Sequence, residues 1–198
     1  MKITLPENIS EINLSQYQRY DKLIKKGLSD LDTAIEKVCI FTNLKRLEAE
    51  SLTYKDLVDI CNQIDIALNE DAKFEPTFFI DKVEFGFVTL DKVKGKEYVD
   101  LVNYSKDLED SNNYHKLMAI LFRPIINKGL NNTYEIASYE GTSEWSEIMK
   151  RTPMNIVNGA LSFFLHLRNE LQSYILKYTT EAQAREKQAQ TTLVSTDG

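Results

Sequence analysis

Apolar positions along this chain recur mostly with a helical period and change to a two-residue period near residue 77. Tyr17, Tyr20 and Ile24 share one face of a stretch from Ser15 to Lys26, and Gly27 supplies a stop. Ser15-Gln16-Tyr17-Gln18 matches a capping box, in which hydroxyl and amide each satisfy a free backbone donor. Asp30 to Phe41 carries Leu31, Ala34, Ile35 and Val38, the stripe of a half-buried helix. Thr53 starts a third helix, with Leu52 and Leu57 placed as a hydrophobic staple and Leu57, Ile60, Cys61, Ile64 and Leu68 on one side. Short connections predict a small antiparallel cluster of these three.

Phe78-Phe79-Ile80 and Val83-Glu84-Phe85-Gly86-Phe87 flank Asp81-Lys82, which predicts a hairpin within 77–88. Val83, Phe85 and Phe87 fall on one face and Gly86 on the other. Asp-Lys is a weaker two-residue turn than Asn-Gly, which argues for a longer loop. A lone hairpin is marginal, so this one must dock on helices or on another strand, for which Ile3 to Leu5 is the candidate.

Helical spacing resumes with Tyr98, Leu101 and Val102. Asn112-Asn113 caps a helix carrying Tyr114, Leu117, Met118, Leu121 and Phe122, which Arg123-Pro124 ends or bends. Asn127 to Asn132 reads as a polar loop, Tyr134 to Tyr139 as a short extended piece, and Trp145, Ile148 and Met149 as a short helix. Thr152 and Pro153 then open the longest helix. Its apolar face runs from Ile156 to Tyr178, about 26 residues including the first turn and roughly 39 Å. The expected fold is α+β and mostly α: a single helical domain over 1–178 with a small docked β-hairpin and a long C-terminal helix. Residues 179–198 form a polar extension.

The chain has 198 residues, 42% of them hydrophobic, enough for one well-buried core. A formal net charge of -6 argues against non-specific nucleic-acid or anionic-membrane binding. The longest apolar run, Ala160 to Leu167, is too short to span a bilayer. The N-terminus shows no basic-then-apolar signal pattern. Cys39 and Cys61 both fall on apolar sides of helical patterns, which fits buried, reduced thiols in a reducing cytosol.

Candidate chemistry is sparse. The two histidines, His115 and His166, have no Cys or second His within a helical turn, so no metal site is expected. His115 reads as a surface residue near a helix start, and His166 as lying beside an apolar face. No G-x-S-x-G elbow or Gly-rich phosphate loop occurs, and Gly95-Lys96 lacks the rest of a P-loop. No catalytic residue and no cofactor follow. Glu109-Asp110 and the pair Glu97/Asp100 read as solvated helix faces. Arg123 suits capping of helix carbonyls or clamping of a carboxylate. The ten tyrosines are more informative, because Tyr suits a surface with one dry and one wet end. Tyr98, Tyr104, Tyr114, Tyr134 and Tyr139 gather in the middle third, and with Arg123 and Trp145 they form the candidate partner-binding set.

Several segments in order carry a resemblance. They are Ile3-Thr4-Leu5-Pro6-Glu7, Glu11 to Gln18, Val83 to Phe87, Gly95 to Leu101, Met118 to Pro124, and Pro153 to Ala160 with Phe163-Phe164. Together they resemble small proteins encoded in the structural gene modules of tailed bacteriophages. The resemblance implies a non-enzymatic virion component, acting in the host cytoplasm or in the particle. Its implied partners are other phage structural proteins or further copies of this chain. The opening strand and helix, with Phe41-Thr42-Asn43-Leu44 before a capped helix, also look like tail assembly chaperones. That alternative implies binding to a tape-measure or tail protein and absence from the mature particle.

Overall fold

Asn13, rather than Ser15, starts the first helix. In the computed structural model, which describes residues 3–42, 44–89, 93–106, 108, 110–130 and 133–166, α1 runs Leu14–Ile24. The Asn13 carboxamide accepts from the Gln16 amide N–H at 3.0 Å, and the Gln16 side chain accepts from the Asn13 N–H at 3.1 Å. The box therefore lies two residues earlier than the sequence suggested, because Asn13 is as good a cap as Ser15 and releases Gln18 for the interior. Rotation follows: α1 buries Leu14, Gln18 and Leu23, while Ile24 is exposed. Gly27, at φ +63°, reverses the chain as expected.

Helix α2 (Asp30–Thr42) buries Ile35, Val38, Ile40 and Phe41. Leu31, expected on the buried stripe, is exposed in the first turn of α2, and the buried residues of the helix begin at Ile35. A short helix, α3 (Arg46–Glu50), was not foreseen. Its Arg46 meets Asp32, Glu36 and Glu50, a local charge arrangement with no apolar periodicity to announce it. α4 (Tyr54–Leu68) starts at Thr53 as expected, with the Thr53 hydroxyl accepting from the Asp56 N–H at 3.1 Å. Buried Lys37 joins α2 to α4 through Asp65 at 2.5 Å and the Cys61 carbonyl at 3.2 Å. Cys39 and Cys61 are free and only half-buried rather than buried, since each lies at the margin of its helix's buried stripe.

The hairpin forms where expected, from β1 (Thr77–Ile80) and β2 (Val83–Phe87). Ile80 pairs directly with Val83, so the loop is the two residues Asp81-Lys82 and no longer. Asp81 takes φ +54°, a conformation Asp adopts more readily than most residues. Ile3 to Leu5 is not a strand. The hairpin's partner is instead β3 (Phe122–Lys128), followed by β4 (Tyr134–Ile136), in an antiparallel sheet of order β1-β2-β3-β4.

β3 emerges without a linker from α6 (Tyr114–Leu121). Pro124 explains the change, because proline drives its predecessor into extended geometry and cannot continue a helix. The strand continues to Lys128, through the first two residues of the stretch that read as a polar loop. Asn113 holds the N-cap position of α6 as expected, but its side chain makes no cap bond. A 3-10 turn, Ser111–Asn113, precedes the helix, with the Asp110 carboxylate accepting from the Asn112 N–H at 3.2 Å.

One face of the sheet is aromatic and faces the core. Phe122 meets Phe78 and Phe87 edge-on at 4.9 and 5.2 Å between centroids, and Phe85 stacks on Phe78 at 5.7 Å. α7 (Ser146–Met149) leads to Pro153 and to helical residues 154–160. Backbone bonds tie this region to the N-terminal segment: Leu14 N–H to the Thr152 carbonyl at 2.9 Å, and Met154 N–H to the Ile12 carbonyl at 2.8 Å. The chain divides into two compact units, 1–160 and 161–198. In the second, 161–166 are helical. The rest of the expected long helix and the polar extension 179–198 lie outside the described residues.

Gly159 faces the backbone of Lys73, whose carbonyl oxygen would lie 2.3 Å from an added Cβ. Gly159→Ala is therefore expected to lower stability by about 1–3 kcal/mol. Gly95→Ala, whose Cβ meets open space, is expected to be neutral or better. Urea unfolding of the two variants checks the contrast.

Candidate functional site

The face of the sheet opposite the aromatic core carries Gly86 and Arg123, which are register partners on β2 and β3. Tyr134 lies over Gly86, where an added Cβ would come within 2.5 Å of its ring. Its hydroxyl donates to the Phe87 carbonyl at 3.1 Å. Glycine at 86 is thus the seat of an aromatic side chain from β4.

α5 (Gly95–Tyr104) meets this face. Its inner residues are Glu97, 1% exposed, and Leu101. Glu97 Oε1 lies 2.8 Å from Arg123 Nη2, and Glu97 Oε2 accepts from the Lys94 N–H at 3.3 Å. The Arg123 guanidinium sits under the Tyr139 ring, 5.8 Å from its centroid. Tyr139 in turn donates to Asp100 at 2.8 Å. Burial holds the Arg123 pKa below its ordinary value, against the pull of Glu97 and Tyr139. Burial, then the bond to Asp100, raises that of Tyr139.

Glu97 and Asp100 are therefore not the solvated helix face that the sequence suggested. Each found a partner from a distant segment, and only such partners make an inward carboxylate tolerable. The site residue that sequence reasoning missed is Glu97. Its one local signal is its place three residues after the helix-starting Lys94. Arg123 does clamp a carboxylate, as one of its two expected roles.

These groups border a cavity of about 540 Å³ between α5, the sheet and the segment after β4. Its walls include Phe87, Val88, Ile136 and Ala137, together with the exposed residues Thr89, Lys94, Glu135 and Ser138. Mostly apolar walls with a few convergent polar groups are the composition of a binding pocket.

The cavity gathers Arg123, Tyr134 and Tyr139 from the candidate set. The others lie elsewhere. Tyr98 is on the outer face of α5, 61% exposed. Tyr104 is half-buried, with Lys116 Nζ 5.1 Å from its ring centroid. Tyr114 stacks with Tyr17 and its hydroxyl donates to the Leu108 carbonyl, burial pushing its pKa up to about 12. Trp145 packs edge-on against Phe85.

His115 is not a surface residue. It is half-buried, and Gln18 Nε2 lies 3.1 Å from its Nδ1. Burial lowers its pKa, with Lys150 and Lys116 acting in the same direction and Glu147 against it.

Among the described residues, no three His, Cys, Asp or Glu side chains gather as a metal site, and no helix is long and apolar enough to cross a membrane. Comparison with known protein families, with curated proteins and with solved structures returns no match.

Two outcomes are expected. Arg123→Met or Glu97→Leu alone strands a buried charge and costs about 3–5 kcal/mol, whereas the double variant recovers much of the loss. A urea double-mutant cycle measures this. For His115, the folded state holds the proton more weakly than the unfolded chain, so stability falls as pH drops through the imidazole range, from about 7 to 5. His115→Gln is expected to flatten that slope, read from unfolding midpoints at the two pH values.

Proposed function

We propose that this protein works by contact, as a non-enzymatic structural component of a tailed-phage particle. The observation that carries this reading is the inversion of α5. A surface helix normally turns its apolar stripe inward and its charges to water. Here Glu97 is buried, while Tyr98, Val99 and Val102 are 61, 56 and 40% exposed. Positions 98, 99 and 102 share one face of a helix, so this is a continuous apolar strip. Solvent gains nothing from it, and a partner that covered it would bury apolar area at about 25 cal/mol per Å².

The segments that resemble phage structural-module proteins include Gly95 to Leu101, seven of the ten residues of α5, so the inverted helix and the resemblance coincide. The partners in this reading are other structural proteins of the particle, met in the host cytoplasm during assembly and kept in the virion.

Mass spectrometry of purified particles is expected to recover peptides of this chain. Tyr98→Glu with Val102→Glu, both at exposed positions, is expected to leave the fold intact by circular dichroism and to abolish incorporation. Absence of the wild-type chain from mature particles overturns the virion reading. If the chain then co-purifies with an unassembled tail protein, the assembly-chaperone alternative takes its place.

A further inference from the structure

The sheet ends in two unlike edges. β4 carries the exposed Glu135 and lies against the register shift between Ile125 and Asn127. A charge and a bulge are common protections of a sheet edge. β1 has neither. Thr77-Phe78-Phe79-Ile80 is uncharged and, among the described strands, pairs in regular register with β2 alone. Its Phe79 is 61% exposed.

The pairing also fixes which backbone groups of β1 are open. The Phe87 N–H donates to the Pro76 carbonyl at 2.8 Å, and Ile80 pairs with Val83 across the two-residue loop. Bonded positions alternate along an antiparallel ladder, so residues 76, 78 and 80 direct their backbone groups to β2. Thr77 and Phe79 direct theirs outward. No other described residue bonds to the backbone of these two. An edge of this kind is a template for one more strand.

The charges at its two ends select that strand. The hairpin turn carries Asp81, Lys82 and Arg151, the last clamping both Asp81 carboxylate oxygens at 2.6 Å. One carboxylate against two cations leaves this end positive. The lead into β1 carries Asp71, Lys73 and Glu75, all exposed, and is negative by the same reckoning. Glu75 has only the neutral Asn155 amide beside it, at 3.1 Å. A second copy laid antiparallel sets the positive turn of each chain against the negative lead of the other. A parallel mate would set turn against turn.

We propose that β1 pairs with β1 of a second copy, antiparallel about a two-fold axis at Phe78, so that two four-stranded sheets become one. Thr77 then lies opposite Phe79 of the second copy and exchanges both backbone bonds with it, once on each side of the axis. An axis at Phe79 would call on Asp81, which has left strand geometry at φ +54°, and one at Thr77 would run into the bend at Pro76. The two exposed Phe79 rings lie diagonally across the axis, within reach of one another. The same surface is used on both copies, so the pairing closes at two. One strand edge is small beside a standard interface of about 1,600 Å², and the dimer is accordingly weak and concentration-dependent. The inference goes beyond the α5 contact and does not rest on it.

The test is sedimentation equilibrium of the full chain over a concentration series, where a monomer–dimer equilibrium is expected. Phe79→Lys sets two cations near the axis and is expected to weaken the dimer at least about tenfold, with an unchanged circular dichroism spectrum. Thr77→Pro removes an N–H that β2 does not use and is expected to do the same. In a mixture of isotope-labelled and unlabelled chain, NMR is expected to show the Phe78 Hα atoms of the two copies in contact, as in a non-hydrogen-bonded antiparallel pair. A chain that stays monomeric, a dimer indifferent to both variants, or growth beyond two copies overturns the proposal. Tyr98→Glu with Val102→Glu is expected to dimerise as the wild type does. Loss of the dimer in that variant places self-association on α5 and overturns the β1 assignment. Absence of the chain from phage particles would leave this equilibrium untouched, so the two readings fall separately.

Discussion

From Leu117 to Arg123 the chain is buried without a break, although it changes from helix to strand between Leu121 and Phe122. The rest of the structure is arranged around this constraint. A linker at that point would leave unpaired backbone groups in the interior. Direct passage avoids this: the Val88 N–H donates to the Leu121 carbonyl, and Phe122 enters the sheet opposite Phe87. Strand alternation then sends Phe122 to the aromatic core and Arg123 to the opposite face. One step along the chain thus separates the driest part of the molecule from its most consequential charge.

Arg123 fixes what lies above it. A guanidinium without a counter-charge would be costly at that depth, and Glu97 supplies the charge from α5. The helix is therefore held by its polar side, with Leu101 as its main apolar anchor. Turning Glu97 inward turns Tyr98, Val99 and Val102 outward. The buried ion pair and the exposed apolar strip are two consequences of the same helix rotation. Removing the charge requirement removes the reason for that rotation.

The two sides of α5 accordingly differ in kind. The outer side offers apolar area without direction. The inner side carries few but directional groups, chief among them Glu97 paired with Arg123 at 2.8 Å. Broad apolar area supplies affinity, while buried polar groups discriminate among partners by refusing the wrong one.

Much of the helical layout was legible because local signals suffice for it. The Thr53 cap, the Gly27 stop, the α4 stripe and the 77–88 hairpin each rest on residues within a few positions of one another. Where two local signals competed, as between Asn13 and Ser15, tertiary demand for Gln18 decided. Leu31 and the Asp81-Lys82 loop show the same limit, since helix length and turn conformation depend on what packs nearby. The β3 strand was missed because its stretch holds two charges, a proline and an asparagine, and its strand character comes from its neighbours. Of the site, Arg123, Tyr134 and Tyr139 stood out as residue types, but Glu97 did not. What the sequence determined by itself is the longer helices and the hairpin, since hydrophobic period and capping act over one or two turns. What only the tertiary structure decided is the rotation of α5 and the meeting of Glu97 with Arg123. Those follow from solvation of charge, and solvation is a property of the whole surrounding fold.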